Sequence, residues 1–382
     1  MSNQDKIIVG ISIGDLNGIG SEIVLKTFQD SRMLEFCTPV IFASVKVLSF
    51  FKKHYGIELN LHGIDTLDKI IPKKINVLNL WKETVEIDFG KQDNTIGQYA
   101  VKSLEAAVIA LKQHKINALV TAPINKSNIQ SETFNFPGHT DYLQQELEGD
   151  SLMLMISETL RVGLLTDHVA VKDISVNITR EVIEKKINTI HKTLIQDFGI
   201  AKPKIAVLGI NPHTGDNGVI GNEDDTIMRP TLDNLRNNGK TVFGPYAADS
   251  FFGSANYKNF DVIIASYHDQ GLVPFKTLAF GSGVNYTAGL SEIRTSPDHG
   301  TAYDIAGKNK ADFTSFRAAV FSAITIFKTR KAYLVSAENP LKISKRWAHN
   351  CVILVSNNAI ISRVRINAQN GYFWLCNSKV LN

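Results

Sequence analysis

The chain has 382 residues, 44% hydrophobic and 20% charged, the balance of a folded protein long enough for one large domain or two of common size. Disorder and collagen are excluded, and no apolar run approaches the roughly 18 to 20 residues of a membrane helix. The formal charge of +4 is uneven: from Ser336 onward six basic residues face Glu338 alone, which leaves −1 on the 335 residues before it. A near-neutral body offers no basic face for nucleic acid. The start, Met1-Ser2-Asn3-Gln4-Asp5-Lys6, lacks the apolar core of a secretory signal, so a cytoplasmic protein with no membrane partner is expected. Cys37, Cys351 and Cys376 show no CxxC spacing, and reduced thiols are the default.

Short β-branched runs alternate with longer amphipathic segments, the pattern of an α/β fold with a largely parallel sheet. Strands are predicted at residues 7–13, 39–43, 118–122, 152–156, 161–165, 204–210 and 261–266. After the first, Gly14-Asp15-Leu16-Asn17-Gly18-Ile19-Gly20 leads into a helix at Ser21-Glu22. The GxGxxG spacing of a dinucleotide fingerprint is absent, and a tight turn needing positive φ explains these glycines as well. Helices are predicted at 97–114, at 178–198 and at 312–333. In the second, Ile183, Ile187, Ile190 and Leu194 recur at helical spacing after Thr179, a suitable N-cap. No repeat or flexible linker divides the chain, so residues 1–335 read as one body of two tightly connected α/β subdomains and 336–382 as a C-terminal extension. Within the extension, strand-like runs at 351–355, 360–366 and 372–376 suggest a small β appendage, with an unstructured tail as the alternative.

Five of ten histidines, His139, His168, His213, His268 and His299, sit in loop-like clusters of Gly, Pro, Asp and Thr. His168, His213 and His268 each follow a predicted strand, and in a parallel sheet the carboxyl ends of strands open on one ligand-binding edge. Three imidazoles converging there suit zinc, cobalt or manganese better than magnesium; singly, each is a hydrogen-bonded loop residue. Lys276, Asn285 and Arg294 occupy the glycine-rich region 267–295 and together look like an anion-binding surface, although any one alone would be solvated. Residues 298–308, Asp298-His299-Gly300 through Gly307-Lys308, combine small and polar groups able to bind a base or ribose, or simply to cap a helix.

Thr121-Ala122-Pro123-Ile124-Asn125-Lys126, Gly138-His139-Thr140, Asn211-Pro212-His213, Gly244-Pro245 with Ala248-Asp249, Tyr267-His268-Asp269-Gln270-Gly271-Leu272, Gly283-Val284-Asn285 and Arg294-Thr295-Ser296 with Asp298-His299-Gly300-Thr301-Ala302 stand in this order. The set closely resembles the 4-hydroxythreonine-4-phosphate dehydrogenase family, from about residue 6 to about residue 333. Leu16-Asn17 stands where the family usually carries Pro-Ala, and the tail has no counterpart in the family core. The resemblance implies an isocitrate/isopropylmalate dehydrogenase-like fold, two α/β/α domains flanking a cleft, and a homodimer whose active sites use both subunits. It implies NAD and a divalent metal (zinc, cobalt or magnesium) as cofactors, with His168, His213 and His268 as metal ligands. His139, Thr140, Lys276, Asn285 and Arg294 become substrate contacts; His299, Gly300 and Asp304 belong to the loop that holds the cofactor; Asp249 and Asp269 are catalytic candidates beside the metal. The implied reaction is NAD-dependent oxidation of 4-phosphooxy-threonine to a 2-amino-3-oxo acid that decarboxylates to 3-amino-2-oxopropyl phosphate, in vitamin B6 synthesis. A dehydrogenase of threonate or erythronate 4-phosphate is the nearest alternative, and a metal-dependent hydrolase a more distant one.

Overall fold

A computed structural model describes residues 6–338, apart from Thr133 and Phe280, and beyond them the backbone of three short strands. The chain forms two compact units, Met1–Tyr333 and Leu334–Asn382. The first unit holds β1 (Ile7–Ser12), β2 (Cys37–Ala43), β3 (Leu61–Ile64), β4 (Ile75–Asn79), β5 (Ala118–Thr121), β6 (Gly149–Ile156), β7 (Arg161–Leu164), β8 (Ile205–Leu208), β9 (Val242–Tyr246), β10 (Val262–Ala265), β11 (Val284–Leu290) and β12 (Arg294–Pro297). Its helices are α1 (Gly20–Gln29), α2 (Met33–Phe36), α3 (Val45–Tyr55), α4 (Asn94–Lys112), α5 (His139–Glu146), α6 (Ile174–Asn177), α7 (Arg180–Phe198), α8 (Arg229–Asn237), α9 (Ala248–Gly253) and α10 (His268–Leu278), and it holds all but the last five residues of α11 (Thr314–Glu338). The second unit contains β13 (Val352–Ser356), β14 (Ala359–Ile366) and β15 (Phe373–Cys376), paired antiparallel in that order.

All twelve strands of the first unit belong to one sheet, ordered β3-β4-β2-β1-β5-β12-β11-β6-β7-β10-β8-β9. Pairing is parallel toward both edges and antiparallel only in the centre, between β12 and β11, β11 and β6, and β6 and β7. The region 267–295, expected as a glycine-rich anion-binding surface, is therefore helix α10, which carries Lys276, followed by β11 and the start of β12 in a central hairpin that carries Asn285 and Arg294.

Strand periodicity explains where the cleft lies. Residues two apart share a face, and Val9, Ile11, Val120, Leu154, Ile156, Val284, Tyr286, Val207 and Ile264 all enter a single core that runs under the whole sheet. On the other face the core is split. Val40, Phe42 and Leu119 pack with α4 residues in one cluster; Met153, Met155, Ile263 and Phe275 pack in another. The two α/β halves thus share one face and part on the other, over β5, β12, β11 and β6.

Helix ends follow local chemistry. The Thr179 hydroxyl accepts a hydrogen bond from Val182 N at 3.3 Å, and α7 stops at Gly199, left-handed at φ 69°. Its Ile183, Ile187, Ile190 and Leu194 are fully buried, each contributing roughly 1.5 to 3 kcal/mol of apolar burial. The glycine turn after β1 is a packing device: Gly14 has φ +72°, and Gly18 leaves so little room that an added Cβ would lie 2.9 Å from Thr301 O. Ile19 N donates to that same carbonyl at 3.0 Å. Among the described residues no helix is long and apolar enough to cross a membrane.

Candidate active site

On the split face, β12 presents Arg294 and Ser296, β11 presents Asn285 and Thr287, and β5 ends in Thr121. All of these except the buried Thr287 floor a cavity of about 290 Å³ that also touches His139, Thr140, His168, His268, Lys276 and His299. A larger groove of about 870 Å³, between α2, α7 and α11, is lined by Ile156 and Val284 from the opposite face and contains none of the expected residues. Chemistry, rather than size, makes the smaller cavity the candidate site.

Arg294 is only 2% exposed. Its Nε and Nη2 donate to Thr121 Oγ1 at 3.1 and 2.6 Å and its Nη1 to Thr287 Oγ1 at 3.1 Å. Among the described residues no carboxylate pairs with it. Burial alone pulls its pKa down to about 9, the expression of a cation removed from water without a counter-ion. Above it His139 begins α5, its Nε2 buried with no hydrogen-bond partner. Burial, then Arg294 and Lys126, hold this imidazole well below its ordinary pKa, so it is neutral at pH 7. Asn285 Oδ1 and His299 Nε2 are likewise buried without partners, the condition of polar groups that await a ligand.

Two of the three post-strand histidines meet. Leu165 N donates to Ala265 O, and Thr166 Oγ1 to Ser266 O at 2.7 Å, which locks the ends of β7 and β10 side by side. Gln270 accepts from Ser266 N at 2.7 Å and donates to Gly209 O at 2.7 Å, adding the end of β8. The His168 and His268 rings consequently lie 6.0 Å apart. His268 Nδ1 is 2.8 Å from Asp269 Oδ1; a proton shared there leaves Nε2 with a lone pair. His168 is held below its ordinary pKa, first by burial and then by Lys126. Imidazole nitrogens placed in this way are of the kind that ligate a borderline divalent metal.

His213 does not join them. It opens a run of left-handed residues, His213 at φ 52° and Thr214 at 57°, pinned by the Asp224 carboxylate, which accepts from Ile210 N at 2.8 Å and Asn211 N at 2.9 Å. It is absent from the cavity wall, and among the described residues no three His, Cys, Asp or Glu side chains gather as a metal site. Asp249 is exposed near His213; the Ser250 amide chiefly, with a contribution from His213, lowers its carboxyl pKa. Asp269 is exposed and serves His268.

The 298–308 loop borders the cavity through Asp298, His299 and Gly300, and an added Cβ at Gly300 would meet nothing within 4 Å. Tyr303 OH donates to Asp15 Oδ2 at 2.7 Å, fixing the loop to the glycine turn. The Asp304 side chain is exposed to solvent, its carbonyl accepting from Lys308 Nζ at 2.6 Å. Lys276 Nζ donates to Asp298 O at 3.2 Å. Lys126, quoted within a motif but given no role by the sequence, also lines the cavity; its position just past a strand end was the available signal.

A family model described as pyridoxal phosphate biosynthetic protein PdxA matches residues 35–323. The 4-hydroxythreonine-4-phosphate dehydrogenase of Bacteroides thetaiotaomicron is 46% identical over 341 residues, 89% of this chain and 94% of that one. The D-threonate 4-phosphate dehydrogenase of Cupriavidus necator is 37% identical over 318 residues, 82% and 95% of the respective chains. A crystal structure of 4-hydroxythreonine-4-phosphate dehydrogenase from Klebsiella pneumoniae matches with a TM-score of 0.74 at 31% identity, covering 85% of this chain and 99% of that one. Agreement of this extent in both sequence and fold makes the chain a member of the PdxA family.

Proposed function

We propose that the protein is a cytoplasmic, NAD- and divalent-metal-dependent dehydrogenase that oxidises the secondary alcohol of 4-phosphooxy-threonine; the 2-amino-3-oxo acid formed loses carbon dioxide to give 3-amino-2-oxopropyl phosphate for pyridoxal phosphate synthesis. The observation that carries this reading is Arg294: a desolvated guanidinium held by two threonine hydroxyls and no carboxylate is completed by an anionic ligand. Thr140, Asn285 and Lys276 flank that position, and neutral His139 can accept or donate a hydrogen bond at the ligand without adding charge. Met153, Met155 and Leu272 supply an apolar wall that limits water.

His168 and His268 fit a divalent metal as donors, Asp269 fixing the second ring, and we assign the third donor, His213, to a second copy of the chain. Exposed apolar residues support that dimer: Val171 and Val176 follow His168, Val219 and Ile220 follow His213, and Val273 and Leu278 follow His268, so each histidine segment has an apolar surface to cover. When bound, the metal supplies Lewis acidity that favours loss of the alcohol proton and later polarises the ketone. NAD⁺ is the hydride acceptor, and the His299–Gly300 edge, with its partnerless Nε2 and open glycine, fits as its contact. Asp304, facing solvent, fits only a group reaching outside the cavity.

The threonate 4-phosphate reading is kept because a 37% identical relative carries that name. Reduced-nicotinamide absorbance with both substrates and either NAD⁺ or NADP⁺ decides. We expect 4-phosphooxy-threonine to be preferred by about tenfold or more in kcat/KM. The reverse preference selects the sugar acid, and no reduced nicotinamide from either sinks both.

A further inference from the structure

We infer that Lys126 holds the substrate's carboxylate, the group lost as carbon dioxide; the inference rests on the reaction proposed above. Three cations line the cavity, Lys126, Lys276 and Arg294, and among the described residues none pairs with a carboxylate. The substrate has two anionic ends, a phosphate and a carboxylate, on either side of the alcohol carbon. Arg294, desolvated on the floor, offers the planar fork that suits a phosphate, and Lys276 leans toward Asp298 on the loop side. Lys126 stands elsewhere, at the exposed rim, where its charge reaches both His139 and His168.

The Lys126 segment is built to present that side chain. Pro123 O accepts from Asp15 N at 2.9 Å, tying the strand end to the glycine turn. Asn125 Oδ1 accepts from Ser127 N at 2.9 Å and Asn128 N at 3.1 Å, making a tight turn at the lysine. Gln130 Nε2 then donates to Lys126 O at 2.9 Å and Phe136 O at 2.8 Å, binding this turn to the segment that leads into His139. An added Cβ at Gly138 would lie 3.5 Å from Lys126 Cε, so the lysine stem passes over the start of α5. A carboxylate beside the metal-side imidazoles and next to solvent meets a compact ammonium there, and carbon dioxide has a direct exit.

The test compares two alcohols: 4-phosphooxy-threonine, and 3-amino-2-hydroxypropyl phosphate, which keeps the alcohol, amine and phosphate but has no carboxylate. Lys126→Ala should lower kcat/KM for the first by roughly 10- to 100-fold and for the second by no more than about twofold. Lys126→Arg, which keeps the charge, should recover most of the loss, and circular dichroism should be unchanged. Equal losses on both alcohols overturn the assignment. Calorimetric binding of the same two ligands to metal-loaded dimer without NAD⁺ separates this inference from the functional reading. Tight binding without oxidation by the wild-type protein ends the dehydrogenase proposal, while a Kd difference that vanishes in Lys126→Ala still supports the carboxylate contact and an undiminished difference refutes it.

Discussion

Arg294 is a residue whose cost to the fold and use to the site are separable. A buried cation with only hydroxyl partners opposes folding, so Arg294→Met should raise stability by about 1 to 3 kcal/mol in urea unfolding while abolishing turnover. Arg294→Lys keeps charge but loses the bidentate fork, and kcat/KM should fall by roughly 1.5 to 3 kcal/mol of transition-state binding; an unchanged value would remove the arginine from the site. His139 gives a pH signature. Its folded pKa is depressed, first by burial, so below the unfolded value of about 6.5 the unfolded chain binds the extra proton and stability falls as pH drops. The protein should therefore be less stable at pH 5.5 than at pH 8, and His139→Gln should narrow the difference in unfolding free energy between the two pH values. Residue identity was the legible part: His139, Lys276, Asn285 and Arg294 announce polar chemistry in glycine-rich surroundings. The two threonines that hold Arg294, Thr121 and Thr287, come from strands 166 residues apart and carry no local signal.

At the scale of elements, β11 and β12 show why a cavity-lining strand hides in a sequence. Val284, Tyr286 and Ala288 alternate as a strand should, but the intervening Asn285, with Arg294 and Ser296 next door, faces the cavity, Thr287 holds the arginine, and together they break the apolar run. Helix α7, with one purely structural face, was readable down to its N-cap. The same hairpin is anchored from behind by a buried polar triad. Arg330 of α11 donates to both Asp197 oxygens at 2.7 and 3.0 Å and to Tyr286 OH at 2.8 Å, and Tyr286 OH donates to Asp197 Oδ2 at 2.6 Å. Arg330 Nη1 also meets Ser291 O at 2.7 Å, in the turn between β11 and β12. Removing the arginine leaves a buried carboxylate unpaired, so Arg330→Met should destabilise the protein by about 3 to 5 kcal/mol. The double variant Arg330→Met, Asp197→Leu should recover much of this loss, because both charges are then gone. If Arg330→Met unfolds at the wild-type urea concentration, the triad does not anchor the hairpin.

For the whole molecule, the continuous core under one face and the divided core on the other turn a single sheet into two halves with a cleft, an outcome set by long-range strand order that local periodicity does not reveal. The same long-range order separates the histidines. Strand-end position brings the rings of His168 and His268 6.0 Å apart, whereas His213, equally placed by that rule, lies on a left-handed loop outside the cavity. On the function proposed, a site needing all three is completed across a dimer. Take one preparation carrying His168→Ala and another carrying His213→Ala, each inactive alone. In a mixed dimer the site built on the His213→Ala chain keeps its own His168 and His268 and receives His213 from its partner, while the other site lacks two ligands. Random reassortment makes half the dimers mixed, each with one working site of two, so activity and bound metal should both return to about a quarter of the wild-type level. Were all three ligands supplied by one chain, every site in the mixture would lack one and no activity would return. The pair His139→Ala and His268→Ala supplies the control, since both residues line the same cavity of one chain: a mixed dimer then has one defect in each site and should remain inactive after the same exchange. Recovery by the control pair would place His139 and His268 in different sites and refute the division of ligands between the two copies.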